Sequence, residues 1–120
     1  MPDSTTILHL IKTLEKWAKT STHKLQSAAL IYDTKKKAIL FLENNQYSDA
    51  AVAVITQLPF WKTFFWSENI LVTLHTPSPE AVECASGYNI RRIYFKEHLH
   101  SAESLRLLRK YHIPCERIFC

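Results

Sequence analysis

Ile70-Leu-Val-Thr-Leu-His-Thr-Pro-Ser-Pro-Glu-Ala-Val-Glu-Cys-Ala-Ser-Gly-Tyr-Asn-Ile-Arg-Arg-Ile-Tyr-Phe95 reads as strand, helix, strand. Ile70, Leu71, Val72 and Leu74 form a short apolar run rich in β-branched residues, the composition of a buried strand. Ser78 offers a hydroxyl N-cap, Pro79 suits the first helical turn, and Glu80 and Glu83 favour the positive end of the helix dipole. Gly87, the only glycine in the chain, stands where a left-handed residue is expected to stop the helix, and Ile90, Ile93, Tyr94 and Phe95 restart a strand. A β-α-β unit of this length implies two neighbouring parallel strands with a right-handed crossover.

Upstream of this unit, Ile7, Leu10, Ile11, Leu14, Trp17 and Ala18 recur at three- and four-residue steps, an amphipathic helix with Thr5 or Thr6 as cap. Lys12, Lys16 and Lys19 lie off its apolar face, where a solvated surface accounts for them. Ser27–Asp33 and Ala38–Leu42 are two strand-like runs joined by Asp33-Thr-Lys-Lys-Lys37, a joint short enough for an antiparallel hairpin. Lysines at such a tip are ordinarily solubility devices. Asn44-Asn-Gln-Tyr47 is a polar loop, and Ser48 is expected to cap a helix running through Asp49–Gln57.

Phe60, Trp61, Phe64, Phe65 and Trp66 then place five aromatics in seven residues, a candidate partner interface or stacking surface as well as core material. Beyond Phe95, Ser101 caps a helix holding Leu105, Leu107, Leu108 and Tyr111; His112-Ile-Pro114 ends it, and Glu116–Cys120 reads as a last short strand.

Composition narrows the functional classes. The 120 residues, 47% of them hydrophobic, make a single domain over 1–120. A net charge of +4 falls short of a dense cationic signature. One glycine in the chain excludes a Gly-rich phosphate loop. Cys84, Cys115 and Cys120 are odd in number and lack metal spacing, which with no signal-like N-terminus and no bilayer-length apolar run points to a reduced, cytoplasmic setting away from membranes. His98, His100 and His112 fit no metal-ligand spacing.

The order of residue types resembles the zinc-dependent cytidine, deoxycytidylate and tRNA-adenosine deaminases. In that family a strand ending Thr-Leu leads to Pro-Cys-x-x-Cys opening a helix, and the next strand reads Ile-x-x-Val/Ile-x-Tyr. Here Thr73-Leu74 precedes Pro77-Ser-Pro-Glu-Ala81, and Ile90-Arg-Arg-Ile-Tyr94 closes the unit. Setting Pro77 on the family proline puts Ser78 and Ala81 on the two cysteine ligands; a register using Thr76, Pro77 and Glu80 needs a one-residue insertion. The family's His-Ala-Glu motif is similar to Asp49-Ala-Ala51, with Asp49 on the zinc-binding His and Ala51 on the proton-shuttling Glu. The tail after Phe95 sharpens the resemblance towards the deoxycytidylate branch.

The resemblance implies an α/β fold, a three-layer α/β/α sandwich about a five-stranded mixed sheet, cytidine deaminase-like. It also implies a site stripped of its chemistry. Zinc needs thiolates and an imidazole, or a third thiolate, with one position left for water. A Ser hydroxyl is a poor ligand, Ala81 cannot bind, and the Ala51 methyl carries no proton. No cofactor is expected, zinc included. The leading expectation is a catalytically inactive deaminase-like protein that holds a nucleotide or forms homo- or hetero-oligomers with deaminase-like subunits. Asn44 and Asn45, whose counterparts in the family help hold sugar or base, join Thr73 and His75 as candidate ligand-binding residues. Two alternatives stand beside it. One is an enzyme with an atypical site using Cys84 or His75. The other is a single-stranded nucleic-acid binder, with RNA as a ligand, through the aromatic cluster and the Lys35–Lys37 tip.

Overall fold

A computed structural model describes residues 3–58, 68–88, 90–98 and 101–119. In chain order the elements are α1 (Ser4–Ala18), β1 (Ala28–Asp33), β2 (Ala38–Asn44), α2 (Ala50–Ile55), β3 (Asn69–His75), α3 (Pro79–Gly87), β4 (Arg92–Glu97), α4 (Ala102–Lys110) and β5 (Cys115–Arg117). The five strands form one mixed sheet in the order β2-β1-β3-β4-β5. β1 runs antiparallel to both β2 and β3, whereas β3, β4 and β5 are parallel.

Side-chain alternation along the strands separates two cores. Ala28, Leu30 and Tyr32 of β1, with Ile70, Val72, Leu74 and Tyr94, pack under Ile7, Leu10, Ile11 and Leu14 of α1. The intervening Ala29, Ile31, Leu71 and Ile93 face the opposite way, against α2, α3 and α4. The result is the three-layer α/β/α sandwich, with the central strands β1, β3 and β4 buried on both faces as their apolar runs require. Each of the large α1 side chains, removed almost wholly from water, contributes roughly 1.5–3 kcal/mol.

Edge strand β2 carries a bulge opposite Ile31 and Tyr32, so that Leu40 has no partner in β1. Leu40 and Phe41 therefore both turn to the α2 side, while Leu42 packs on the α1 side.

Several terminal assignments differ from the sequence expectation. Asp3, not Thr5 or Thr6, caps α1, its Oδ1 accepting from Thr6 N at 2.8 Å. Asp49, not Ser48, caps α2, because a carboxylate at that position reaches two backbone N–H groups. Gly87 is the last residue of α3 and has no positive φ; Tyr88 follows at φ −104° and donates its N–H to Cys84 O. The left-handed residue is His112 (φ 55°), after α4, where Ile113 N reaches back to Leu108 O at 3.0 Å. β4 begins at Arg92, not at Ile90, and β5 spans Cys115–Arg117, not Glu116–Cys120. On α4 the buried stripe is Ser104, Leu107 and Leu108, while Leu105 is 40% exposed. The aromatic cluster Phe60, Trp61, Phe64, Phe65 and Trp66 lies outside the described residues.

The parallel strands β3 and β4 end, at His75 and Glu97, on the same side of the sheet. Crevices in open α/β sheets form beyond such carboxyl ends. The loops leaving β2 and β3 bring the N-termini of α2 and α3 there together.

Candidate functional site

Two helix caps meet at this end of the sheet. Asp49 Oδ1 accepts from Ala51 N at 2.9 Å and Val52 N at 3.2 Å, satisfying two of the open donors of α2. Ser78 Oγ accepts from Ala81 N at 3.1 Å and so caps α3. The same Ser78 hydroxyl donates to the second Asp49 oxygen, Oδ2, at 2.6 Å. One charge-assisted hydrogen bond therefore ties the first turns of two helices, and neither cap has to give up its backbone partners to make it.

A further chain of hydroxyls holds the loop that presents Ser78. Ser104 on α4, fully buried, donates from Oγ to Pro77 O at 2.7 Å and receives a bond from Ser101 Oγ at 2.9 Å. Ser104 was not singled out from the sequence. Its signal was there, a polar residue on the apolar stripe continued by Leu107, Leu108 and Tyr111.

A cavity of about 180 Å³ opens beside the paired caps, lined by Asn45, Asp49, Ala51, Thr73, His75 and Ser78 among others. Residues from two motifs separated by some thirty positions thus share one wall. Asn45 is anchored there by its carboxamide, which accepts from Ser27 N at 3.1 Å and donates to Leu25 O at 2.7 Å. His75 Nδ1 lies 2.7 Å from Ser27 Oγ. Burial lowers the His75 pKa, with the Glu97 carboxylate pulling weakly the other way. Thr73, itself buried, makes only a long 3.4 Å bond to Ala28 O.

Two of the sequence-predicted positions stand apart. Asn44 does not line the cavity: its amide donates to Thr20 Oγ1 and accepts from Gln46 N, tying β2 to the end of α1. Ala81 is fully buried in the core beneath α3. Leu25 and Ser27, which the sequence analysis passed over, also line the cavity. Around the mouth, Gln46 staples the 44–47 loop to Thr22, and the rim displays Leu25 at 50% exposure. The neighbouring Tyr47 is 95% exposed.

A metal does not fit this arrangement. Among the described residues no group of three or more His, Cys, Asp and Glu side chains could hold an ion. Two oxygens on one tetrahedral zinc ion stand roughly 3.3 Å apart when each bond is about 2.0 Å. Asp49 Oδ2 and Ser78 Oγ are closer than that, with a proton between them. The Cys84 alternative is unfavourable as well. Burial first, then the carboxylates of Glu80, Asp49 and Glu83, push its thiol pKa up, and its side chain packs against the core. Such surroundings oppose the thiolate that a nucleophile needs.

No protein-family model and no curated protein sequence matches the chain. Solved structures do match it. The dCMP deaminase of cyanophage S-TIM5, in complex with dCMP and dUMP, superposes with a TM-score of 0.77 at 11% identity, covering 98% of this chain and 100% of that one. The Rib2 deaminase of Aspergillus oryzae, a C-terminal deletion mutant, gives a TM-score of 0.74 at 11% identity over 95% of this chain and 84% of its own. A tRNA deaminase acting at the wobble position gives 0.70 at 14% identity, with 93% and 91% covered. The chain has the cytidine deaminase-like fold.

Proposed function

We propose that the chain is a catalytically inactive deaminase-fold protein whose residual cavity holds a small planar ligand of the nucleobase or nucleotide type. The observation that carries this reading is the Ser78–Asp49 hydrogen bond. Both residues fall where the resemblance puts zinc ligands, and they bond each other directly. Hydrolytic deamination needs an activated water and a group to ferry its proton. The cavity wall offers instead a carboxylate already accepting three hydrogen bonds and, at Ala51, a methyl group.

Binding without turnover is within its means. Asp49 Oδ2 retains acceptor capacity for an amino group, the Ser27–His75 pair supplies a donor and an acceptor, and Thr73 and Asn45 add polar edges to a mainly apolar wall. The test combines turnover and affinity. Cytidine and deoxycytidylate should show no loss of their exocyclic amine, while calorimetry should record saturable binding of deoxycytidylate. Asp49→Asn, which keeps a good N-cap but removes the charge, should weaken that binding about tenfold. Turnover that disappears in Asp49→Asn would overturn the reading.

A second role rests on the rim. Leu25, which lines the cavity, and Tyr47, two residues before Asp49 in sequence, expose apolar surface, the kind of anchor a protein partner buries. Support of a deaminase-like partner subunit would use this surface, and analytical ultracentrifugation of wild type against Tyr47→Ala tests for the homotypic form of it.

A further inference from the structure

The mild net charge of the chain conceals an uneven distribution. The end of the sheet opposite the cavity is where β1 stops and β2, β3, β4 and β5 begin. The β1–β2 hairpin tip projects there with Lys35, Lys36 and Lys37. Arg91, whose N–H bonds Asn69 O, sits at the same end beside the start of β4. α4 runs back along the sheet and delivers Arg109 and Lys110 in its last residues, just before Pro114 O receives Ile93 N. All six side chains are exposed. The ion pairs among the described residues are Arg92–Glu116, Lys96–Glu15 and Arg106–Glu103, so none of the six is ion-paired with a carboxylate of another described residue. Acidic groups at this end are few: Asp3 faces Lys37, Glu68 bonds Thr34, Glu116 is engaged with Arg92, and Glu83 accepts from the Tyr111 hydroxyl at 2.6 Å. Asp33 is buried beneath the tip, where it accepts from Lys35 N and Lys36 N.

Between the tip and α4 the strands span about 19 Å at their usual spacing, room for several phosphates of an extended chain. Arg91 also lines a cleft of about 280 Å³ with Ser86, Tyr111 and His112. The cleft joins a guanidinium, a phenol ring and an imidazole, groups with flat faces on which an unpaired base can lie. We infer that this end of the molecule, remote from the candidate cavity, is a docking surface for a single-stranded nucleic acid. The lysine tip and Arg109–Lys110 meet phosphates, and the Arg91–Tyr111–His112 cleft takes a base. The inference is independent of whether the cavity binds a ligand.

Fluorescence anisotropy of a labelled short oligouridylate tests it. With about four phosphates neutralised, the affinity should fall with salt at a log–log slope near −3, about fiftyfold between roughly 50 and 200 mM. Lys35→Gln/Lys36→Gln/Lys37→Asn should weaken binding at least tenfold and flatten the slope by about 2. Asn is chosen at position 37 because that residue has φ 53°. Arg91→Gln/Arg109→Gln, across the same end, should weaken it as well. Lys12→Gln/Lys16→Gln/Lys19→Gln removes as much charge from α1 and should change binding less than about twofold, which separates a local surface from net charge. Circular dichroism confirms folding of each variant. Salt-independent binding, equal loss in the α1 variant, or binding to phosphatidylserine vesicles with none to the oligouridylate would overturn the inference.

Discussion

Replacing Ser78 by alanine removes the hydroxyl that caps α3 and, in the same stroke, the donor to Asp49 Oδ2. Loss of an N-cap costs about 1 kcal/mol, and loss of a hydrogen bond to a charged group about 1.5–3 kcal/mol. Water can reach Asp49 through the cavity and recover part of the second term, so the total should be about 2–3 kcal/mol. Asp49→Ala removes a cap that satisfies two α2 donors together with the same inter-helix bond, and should cost a similar amount. In the double variant the shared bond can be lost only once, so the two losses should fall short of additivity by about 1–2 kcal/mol. Urea denaturation is the assay. With an m-value near 1.5 kcal/mol/M, each single variant should lower the midpoint by about 1.3–2 M at unchanged m. Additivity within about 0.5 kcal/mol would refute the claim that the two caps stabilise each other.

Ser104→Ala should cost about 1–2 kcal/mol by leaving the Pro77 carbonyl without its buried donor, and hydrogen exchange at Ala81 N–H should quicken as the Ser78 loop loosens. For His75 the folded-state pKa lies below its reference of 6.5, so the unfolded chain binds the proton more readily and stability must decline as pH falls below 6.5 towards the folded value. His75→Gln should flatten that part of the stability–pH curve; an unchanged curve would count against burial as the cause. Burial pushes the Cys115 thiol up to about 11 from 9.0, so at pH 8 its thiolate is about a hundredfold scarcer. Maleimide should accordingly label it slowly in native protein and quickly in urea.

The fold was legible because its strongest signals were local and mutually consistent. Ile70–Leu74 and Ile93–Phe95 are runs that water rejects on both faces, and the Ser78-Pro79 start leaves little choice of where the intervening helix begins. The errors fell at element ends, where small polar residues compete. Ser48 and Asp49 are both good caps, and only the backbone path decides that the carboxylate reaches the open N–H groups of α2. Gly87 is permitted a left-handed conformation but not obliged to adopt one; a Cβ there would meet nothing within 4 Å. His112 adopts it instead because the chain must turn before Pro114.

For the site, the resemblance named Asp49 and Ser78 as replaced ligands, yet the sequence could not disclose that the replacements bond to each other. That depends on how closely two helix N-termini approach, a property of packing between elements. Ser27 and Leu25 were invisible for the same reason, since each acts through a partner at least eighteen residues away; Ser104 showed as a polar residue on an apolar stripe, but its partner Pro77 did not. The uneven charge was hidden differently: Lys35–Lys37, Arg91 and Arg109–Lys110 are spread along the chain and gather only because β1 and α4 end, and β4 begins, on one side of the sheet.

The account turns on a hydrogen bond standing where a metal would otherwise be. Its most direct test is the metal content of protein purified without chelator and equilibrated with excess zinc before gel filtration, measured by plasma mass spectrometry. Zinc well below one ion per chain, with no difference between wild type and Asp49→Ala, is the predicted result. One zinc per chain, lost in Asp49→Ala, would contradict it.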